Sequence, residues 1–193
     1  MANILRSGKL LKKAGMIQIV SGKNNAVIRT INGTYAKQQL GSAIAVVPDQ
    51  NTDGVLDIAV GDPLADVTKL TTTGFPVLKD AGRVMLYSGK DGRMLRILVE
   101  GNAKGDHFGA AVAAGDVNAD GKIDLIVGAS MSDASAKDAG QVSVFDGISK
   151  TLLYTRNGTQ KAEHFGAAVA VANGYLFVGS PQFDNVNGKD AGR

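Results

Sequence analysis

Apolar residues fall in short runs along the chain, some alternating with polar residues and some closed by glycine. Met16 to Val20, Val84 to Tyr87 and Val142 to Phe145 each follow an Ala-Gly pair. After a glycine turn each is followed by a second run: Ala26 to Thr30, Met94 to Val99 and Thr151 to Thr155. Ile58-Ala59-Val60-Gly61 and Leu125-Ile126-Val127-Gly128 are rich in β-branched residues and read as buried strands. The pattern predicts an all-β chain of short strands.

The runs repeat in a fixed order, which changes the whole reading. His107-Phe108-Gly109-Ala110-Ala111-Val112-Ala113 recurs unchanged as His164-Phe165-Gly166-Ala167-Ala168-Val169-Ala170, with Leu40-Gly41-Ser42-Ala43-Ile44-Ala45 as a weaker first copy. Lys-Asp-Ala-Gly stands at Lys79 to Gly82, Lys137 to Gly140 and Lys189 to Gly192, and in degenerate form at Lys12-Lys13-Ala14-Gly15. These markers divide 14–193 into units of about 14–80, 81–138 and 139–190, with the start of a next unit at 191–193, after an N-terminal extension at 1–13. Each unit holds four strands. The Ala-rich Phe-Gly strands are narrow enough to crowd round an axis, and bulkier strands suit the periphery. Four-stranded antiparallel sheets repeated radially are β-propeller blades.

The chemistry lies in a nine-residue pattern that occurs twice, Asp49-Gln50-Asn51-Thr52-Asp53-Gly54-Val55-Leu56-Asp57 and Asp116-Val117-Asn118-Ala119-Asp120-Gly121-Lys122-Ile123-Asp124. Both copies spell Asp-x-Asn-x-Asp-Gly-x-x-Asp. Oxygen side chains at alternate positions, a glycine for the bend and a closing carboxylate suit Ca²⁺, which takes six to eight oxygen ligands. The carboxylate closes at the ninth position and a strand follows, so these are not EF-hand loops. Side-chain ligation is assigned to Asp49, Asn51, Asp53 and Asp57, with the Val55 carbonyl, and to Asp116, Asn118, Asp120 and Asp124, with the Lys122 carbonyl. Two calcium sites are expected. An acidic surface turn without metal is the alternative, since Asn and Asp favour turns on their own account. The third unit passes between its strands at Val171-Ala172-Asn173-Gly174-Tyr175-Leu176, a hairpin-type turn with no metal loop.

Composition narrows the rest. The 25 glycines form no Gly/Ser linker and mark regular turns. There is no cysteine, hence neither disulfides nor thiolate ligands. No run of about 18 apolar residues would cross a membrane as a helix, and the first 13 residues lack the apolar core of a signal peptide. The net charge of +3 is spread along the chain, and no basic stripe interleaved with aromatics points to nucleic acid. His107 and His164 occupy the same repeat position and read as structural. Asp80, Asp138 and Asp190 precede Ala-Gly and are expected to cap turns through their carboxylates. Tyr35, Tyr87, Tyr154 and Tyr175 read as packing residues, and Lys12 and Lys13 as a solvated face. No Ser/His/Asp or Cys/His set and no phosphate-binding glycine motif is present, so the chain is read as non-enzymatic.

Phe-Gly, then the Asp-x-Asn-x-Asp-Gly-x-x-Asp loop, then an apolar run ending in Gly-Ala-Pro or a variant resembles the FG-GAP repeat of the integrin α-chain β-propeller and its bacterial relatives. The resemblance covers about residues 14 to 193. It implies that the metal loop joins the two inner strands of a blade, with the ten ligand positions above carried over residue by residue. Gly-Ala-Pro itself reads Gly61-Asp62-Pro63, Gly128-Ala129-Ser130 and Gly179-Ser180-Pro181, and Leu40 replaces the first Phe. Two complete blades flanked by two half-blades are expected, about three blade-equivalents. Such an incomplete propeller is a piece of a longer one, or a protomer that completes one by self-association, since open sheet edges invite pairing.

The resemblance implies a calcium-stabilised module of a cell-surface or secreted protein, acting in recognition or adhesion on a protein or glycan ligand. The alternative is a non-catalytic or substrate-positioning propeller of a secreted polysaccharide- or lipid-acting enzyme. The insertion from Val67 to Leu78, found only in the first unit, is the loop expected to meet a ligand.

Overall fold

The computed structural model describes residues 4–6, 9–72, 74–185 and 188. All regular structure among them is β, in antiparallel strands. Strands β1 (Ile4–Arg6) and β2 (Lys9–Leu11) form a hairpin. Next, β3 (Met16–Val20) pairs with β4 (Val27–Asn32). The first complete sheet has the order β5-β6-β9-β10, from β5 (Ile44–Val47), β6 (Asp57–Asp62), β9 (Arg83–Tyr87) and β10 (Met94–Glu100). Between β6 and β9, strands β7 (Val67–Thr68) and β8 (Val77–Leu78) make a small ladder of their own. The second sheet runs β11 (Ala111–Gly115), β12 (Asp124–Ala129), β13 (Gln141–Phe145), β14 (Leu152–Asn157). The last described pair is β15 (Ala168–Ala172) with β16 (Tyr175–Gly179).

Among the described residues these form propeller blades, two complete and two halved, as the repeat predicts. A blade is not a sequence unit. Each four-stranded sheet takes its inner pair from one unit and its outer pair from the next, so β6 pairs with β9, and β12 with β13. The inner strands stand side by side, β11 between β5 and β15, where alanine keeps them narrow.

Period-two alternation feeds a different core from each face of a strand. On β6, Ile58 and Val60 face the β3–β4 half-blade, while Ala59 faces the second blade. On β9, Met85 and Tyr87 join the first group, and Val84 and Leu86 the second. Leu125 and Val127 of β12 complete the core between the two blades, whereas Ile126 turns to the far side with Val142 and Val144. A strand buried on both faces needs apolar residues throughout, which is why Ile58 to Gly61 and Leu125 to Gly128 are continuous runs.

The two sequence markers are one contact. Gly82 bridges Phe108 and Gly140 bridges Phe165, as Gly15 bridges Leu40. Gly82 and Gly140 have φ of 82° and 84°, and a Cβ on either would stand 2.1 or 2.2 Å from the facing Phe carbonyl oxygen. Only glycine offers both that conformation and that space. The Phe108 ring meets Phe145 edge-on, with centroids 6.1 Å apart.

Some expectations shift. Within the extension at 1–13, residues Ile4–Arg6 and Lys9–Leu11 pair as a hairpin, and the Val67 to Leu78 insertion contains the β7–β8 ladder. Asp80 and Asp138 do not cap turns in the expected direction. Their backbone adopts positive φ, their own N–H groups are accepted by Asp66 Oδ1 at 3.1 Å and Asp133 Oδ1 at 2.7 Å, and their carbonyls accept from His107 N and His164 N. Both histidines also have positive φ, which fits the structural role assigned to them. The marker at 189–192, with Asp190, and residues 191–193 lie outside the described residues.

Candidate metal centre

Each Asp-x-Asn-x-Asp-Gly-x-x-Asp loop links the inner strands of a blade, 49–57 between β5 and β6, 116–124 between β11 and β12. The backbones match. The fourth position has φ of 61° in both (Thr52, Ala119), and the sixth has 83° at Gly54 and 82° at Gly121. These two left-handed residues fold the chain back on its own side chains.

In the first loop Asp49 Oδ1 accepts from Asn51 N at 3.0 Å and Asp53 N at 3.3 Å, and Oδ2 from Gly54 N at 2.7 Å. The Gly54 N–H, chiefly, holds the Asp49 carboxyl below its ordinary pKa. Asn51 Oδ1 accepts from Asp53 N, and Asp53 Oδ1 from Val55 N. Asp57 is fully buried, with Oδ2 on Gln50 N at 2.8 Å and Oδ1 on Gly89 N at 3.3 Å. The second loop repeats this: Asp116 Oδ2 on Gly121 N, Asn118 Oδ1 on Asp120 N, Asp120 Oδ1 on Lys122 N, and Asp124 Oδ2 on Val117 N. The Lys122 ammonium lies 3.8 Å from Asp120 Oδ2, so the lysine keeps its side chain outside while its carbonyl belongs to the loop.

The donor set fits a hard cation best in the second loop. Asp116 Oδ1 and Asp124 Oδ1 are buried and have no hydrogen-bond partner, a costly arrangement for carboxylate oxygens unless something positive meets them. Burial raises the Asp124 pKa, and the Asp120 and Asp116 charges add to it, against the opposing N–H of Val117 on Oδ2; the Gly147 N–H also lowers it but makes no hydrogen bond of acceptable geometry to Oδ1. Among the described residues no three acidic or histidine side chains converge closely enough to hold a metal by themselves. The sets assigned here also draw on an asparagine and a main-chain carbonyl, and several of their carboxylate oxygens are turned toward backbone N–H groups.

Two supporting features escaped the sequence reading. The glycine turn after each outer strand presses on the eighth loop position: a Cβ on Gly89 would lie 2.0 Å from the Leu56 carbonyl oxygen, and one on Gly147 1.5 Å from that of Ile123. The second is a buried polar residue two places before Leu40, Phe108 and Phe165: Gln38, Asp106 and Glu163. Glu163 Oε2 accepts from Thr159 N and Gln160 N, its Oε1 accepts from Ser180 Oγ at 2.7 Å, and Gln38 Oε1 accepts from Thr34 N. Its regular place in the repeat was the available signal.

A sequence model described as FG-GAP repeat matches residues 108–145, from the Phe-Gly marker through the second loop to the end of β13. Residues 108–145 thus form an FG-GAP repeat. The chain is 35% identical over 104 residues to integrin alpha-4 of Xenopus laevis, covering 50% of this chain and 10% of that protein. To phosphatidylinositol-glycan-specific phospholipase D it is 33% identical over 119 residues in Bos taurus (60% and 13%) and 29% over 174 residues in Rattus norvegicus (81% and 20%). The chain thus spans between 10% and 20% of these relatives.

Proposed function

We propose that the chain is a calcium-stabilised propeller module of a cell-surface or secreted protein, acting in ligand recognition or adhesion. The observation that carries the calcium reading is the pair of buried, unpartnered oxygens, Asp116 Oδ1 and Asp124 Oδ1, in a loop at 116–124 built like the one at 49–57. The cation's role is structural. Metal that binds only the folded form stabilises it by RT ln(1 + [L]/Kd), about 1.4 kcal/mol at ten times Kd. Sites of extracellular modules work at about 10⁻⁴ to 10⁻³ M. Recognition falls to loops held by the rigid blades. The β7–β8 insertion suits it, since Leu70 and Phe75 are strongly exposed there, at 78% and 71%.

The matches to phosphatidylinositol-glycan-specific phospholipase D favour a second reading, a non-catalytic propeller that positions the substrate of a lipid- or polysaccharide-acting enzyme. Calorimetric titration of the chelator-treated chain with calcium tests the reading common to both. Two equivalents are expected, and no heat of binding would remove the calcium role. A glycan and protein array, with a Val67 to Leu78 deletion as control, tests recognition.

A further inference from the structure

Two successive blade junctions share one frame and differ in what fills it: β3–β4 against the first complete blade, and the first complete blade against the second. Gly15 bridges Leu40 at the one and Gly82 bridges Phe108 at the other. By the repeat, Tyr35 corresponds to Ala103, and Gln38 to Asp106. By the ladders, Arg83 opposite Asp62 corresponds to Gln141 opposite Ala129, and Met85 opposite Val60 to Ser143 opposite Val127.

At the first junction long side chains close the space. The Tyr35 ring lies 5.8 Å from the Arg83 guanidinium carbon, and Met85 is buried beneath them. At the second junction every one of these five side chains is shorter, and a cleft of about 500 Å³ stands open between the two complete blades. That volume lies within the range of about 300–1,000 Å³ for small-molecule sites. We propose that this cleft binds an uncharged saccharide unit.

The lining carries the choice of ligand. One wall is the face of β13 and β14 that holds Gln141, Ser143, Phe145 and Thr155, with Ser143 facing Thr155 across the ladder. The opposite wall is the linker after β10, with Asn102 and Asp106. Ser143 is buried where β9 has Met85, although a strand in that place needs apolar residues on both faces. A polar side chain in an apolar position fits a polar occupant. Hydroxyls and amides both donate and accept, as the hydroxyls round a sugar ring do, and Phe145 with Leu152 offers apolar surface to the ring's C–H face.

Charge narrows the class further. Glu100, Asp106 and Asp133 line the cleft and no lysine or arginine does, so phosphate, sulfate and uronic-acid groups are repelled. Two of the carboxylates are already engaged, Glu100 with Lys69 Nζ at 3.7 Å and Asp133 Oδ1 with Asp138 N at 2.7 Å. That weakens their pull on a free cation and leaves hydrogen bonding to hydroxyls as the dominant interaction. The proposal rests on the recognition reading and deepens it, adding a place and a ligand class to the β7–β8 insertion.

Saturation-transfer NMR on the 193-residue chain tests it, with glucose, galactose, mannose and their N-acetylated 2-amino forms at millimolar concentration. Transfer to at least one of these is expected, and none to glucuronic acid or butylamine. Ala103→Tyr, which puts the first junction's residue at an exposed position, should abolish the transfer and leave the circular dichroism spectrum and melting temperature unchanged. Gln141→Ala should weaken it while the cleft stays open. No transfer to any neutral sugar overturns the proposal, as does transfer that survives Ala103→Tyr or that favours glucuronic acid or butylamine. Calcium titration of Ala103→Tyr should match that of the unaltered chain, so that failure of the cleft and failure of the metal loops read differently. Array binding that vanishes with the Val67 to Leu78 deletion, beside a negative sugar panel, overturns this site and leaves recognition by the insertion standing.

Discussion

Arg83 and Asp62 face each other across the β6–β9 ladder, and the guanidinium Nε donates to Asp62 Oδ2 at 3.1 Å. Tyr35 donates its hydroxyl to the same oxygen and accepts from Arg83 Nη2 at 3.2 Å. The Asp62 side chain is completely buried, that of Arg83 is 21% exposed, and Asp62 Oδ1 has no partner. Burial, first of all, raises the Asp62 pKa against the opposing pull of Tyr35 and Arg83.

That asymmetry predicts unequal losses. Arg83→Met strands a buried carboxylate and should cost about 3–5 kcal/mol in chemical denaturation at pH 7. Asp62→Asn leaves a cation that reaches water and should cost less. The folded pKa of Asp62 is raised, so its protonated form favours folding, and that contribution is lost as pH rises through the folded value. The Arg83→Met penalty should therefore shrink on acidification, and a penalty independent of pH would argue against a stranded charge.

Glu163 has the opposite sign. Burial by itself would raise its pKa, but donors from Ser180, Thr159 and Gln160 outweigh it and hold the pKa below the ordinary value. Its stabilisation is present above the unfolded pKa and fades as pH falls through the folded one. Glu163→Gln should cost about 1.5–3 kcal/mol at pH 7, the range for hydrogen bonds to a charged group. The gap between the two proteins' melting temperatures should narrow below about pH 4.

Asp120→Ala should lower the melting temperature in millimolar calcium but hardly in chelator. An equal loss in both would assign Asp120 to the turn alone, through the bond that its Oδ1 accepts from Lys122 N at 2.9 Å.

Gly128→Ala should destabilise by about 1–3 kcal/mol or more, since its Cβ would run into backbone rather than a movable side chain. Urea unfolding would show it as a lower midpoint, and an unchanged midpoint would mean that the blades part more easily than their packing implies.

Much of this fold could be read directly because its local rules are strong. Alternation located the strands to within a residue or two, and the Phe-Gly and Ala-Gly markers were visible long before their contact was. The left-handed φ of 51° and 76° at Asn173 and Gly174 agrees with the Asn-Gly signal of a tight hairpin. What stayed hidden depends on neighbours distant in sequence. Nothing local distinguishes Asp62, in place of the family's alanine, from a surface carboxylate until Arg83 and Tyr35 are brought to it. Gln38, Asp106 and Glu163 look like ordinary polar loop residues until burial is known. The β1–β2 hairpin was missed because a short basic segment has little pattern to read.

The offset between repeat and blade has a consequence for how such chains change length. Because every unit laces an outer pair of one sheet to the inner pair of the next, duplicating or deleting one whole unit leaves no severed sheet within the array. Genetic growth and sheet completion are thereby uncoupled, and an array of such blades can be lengthened or shortened one repeat at a time without redesigning the contacts between neighbours.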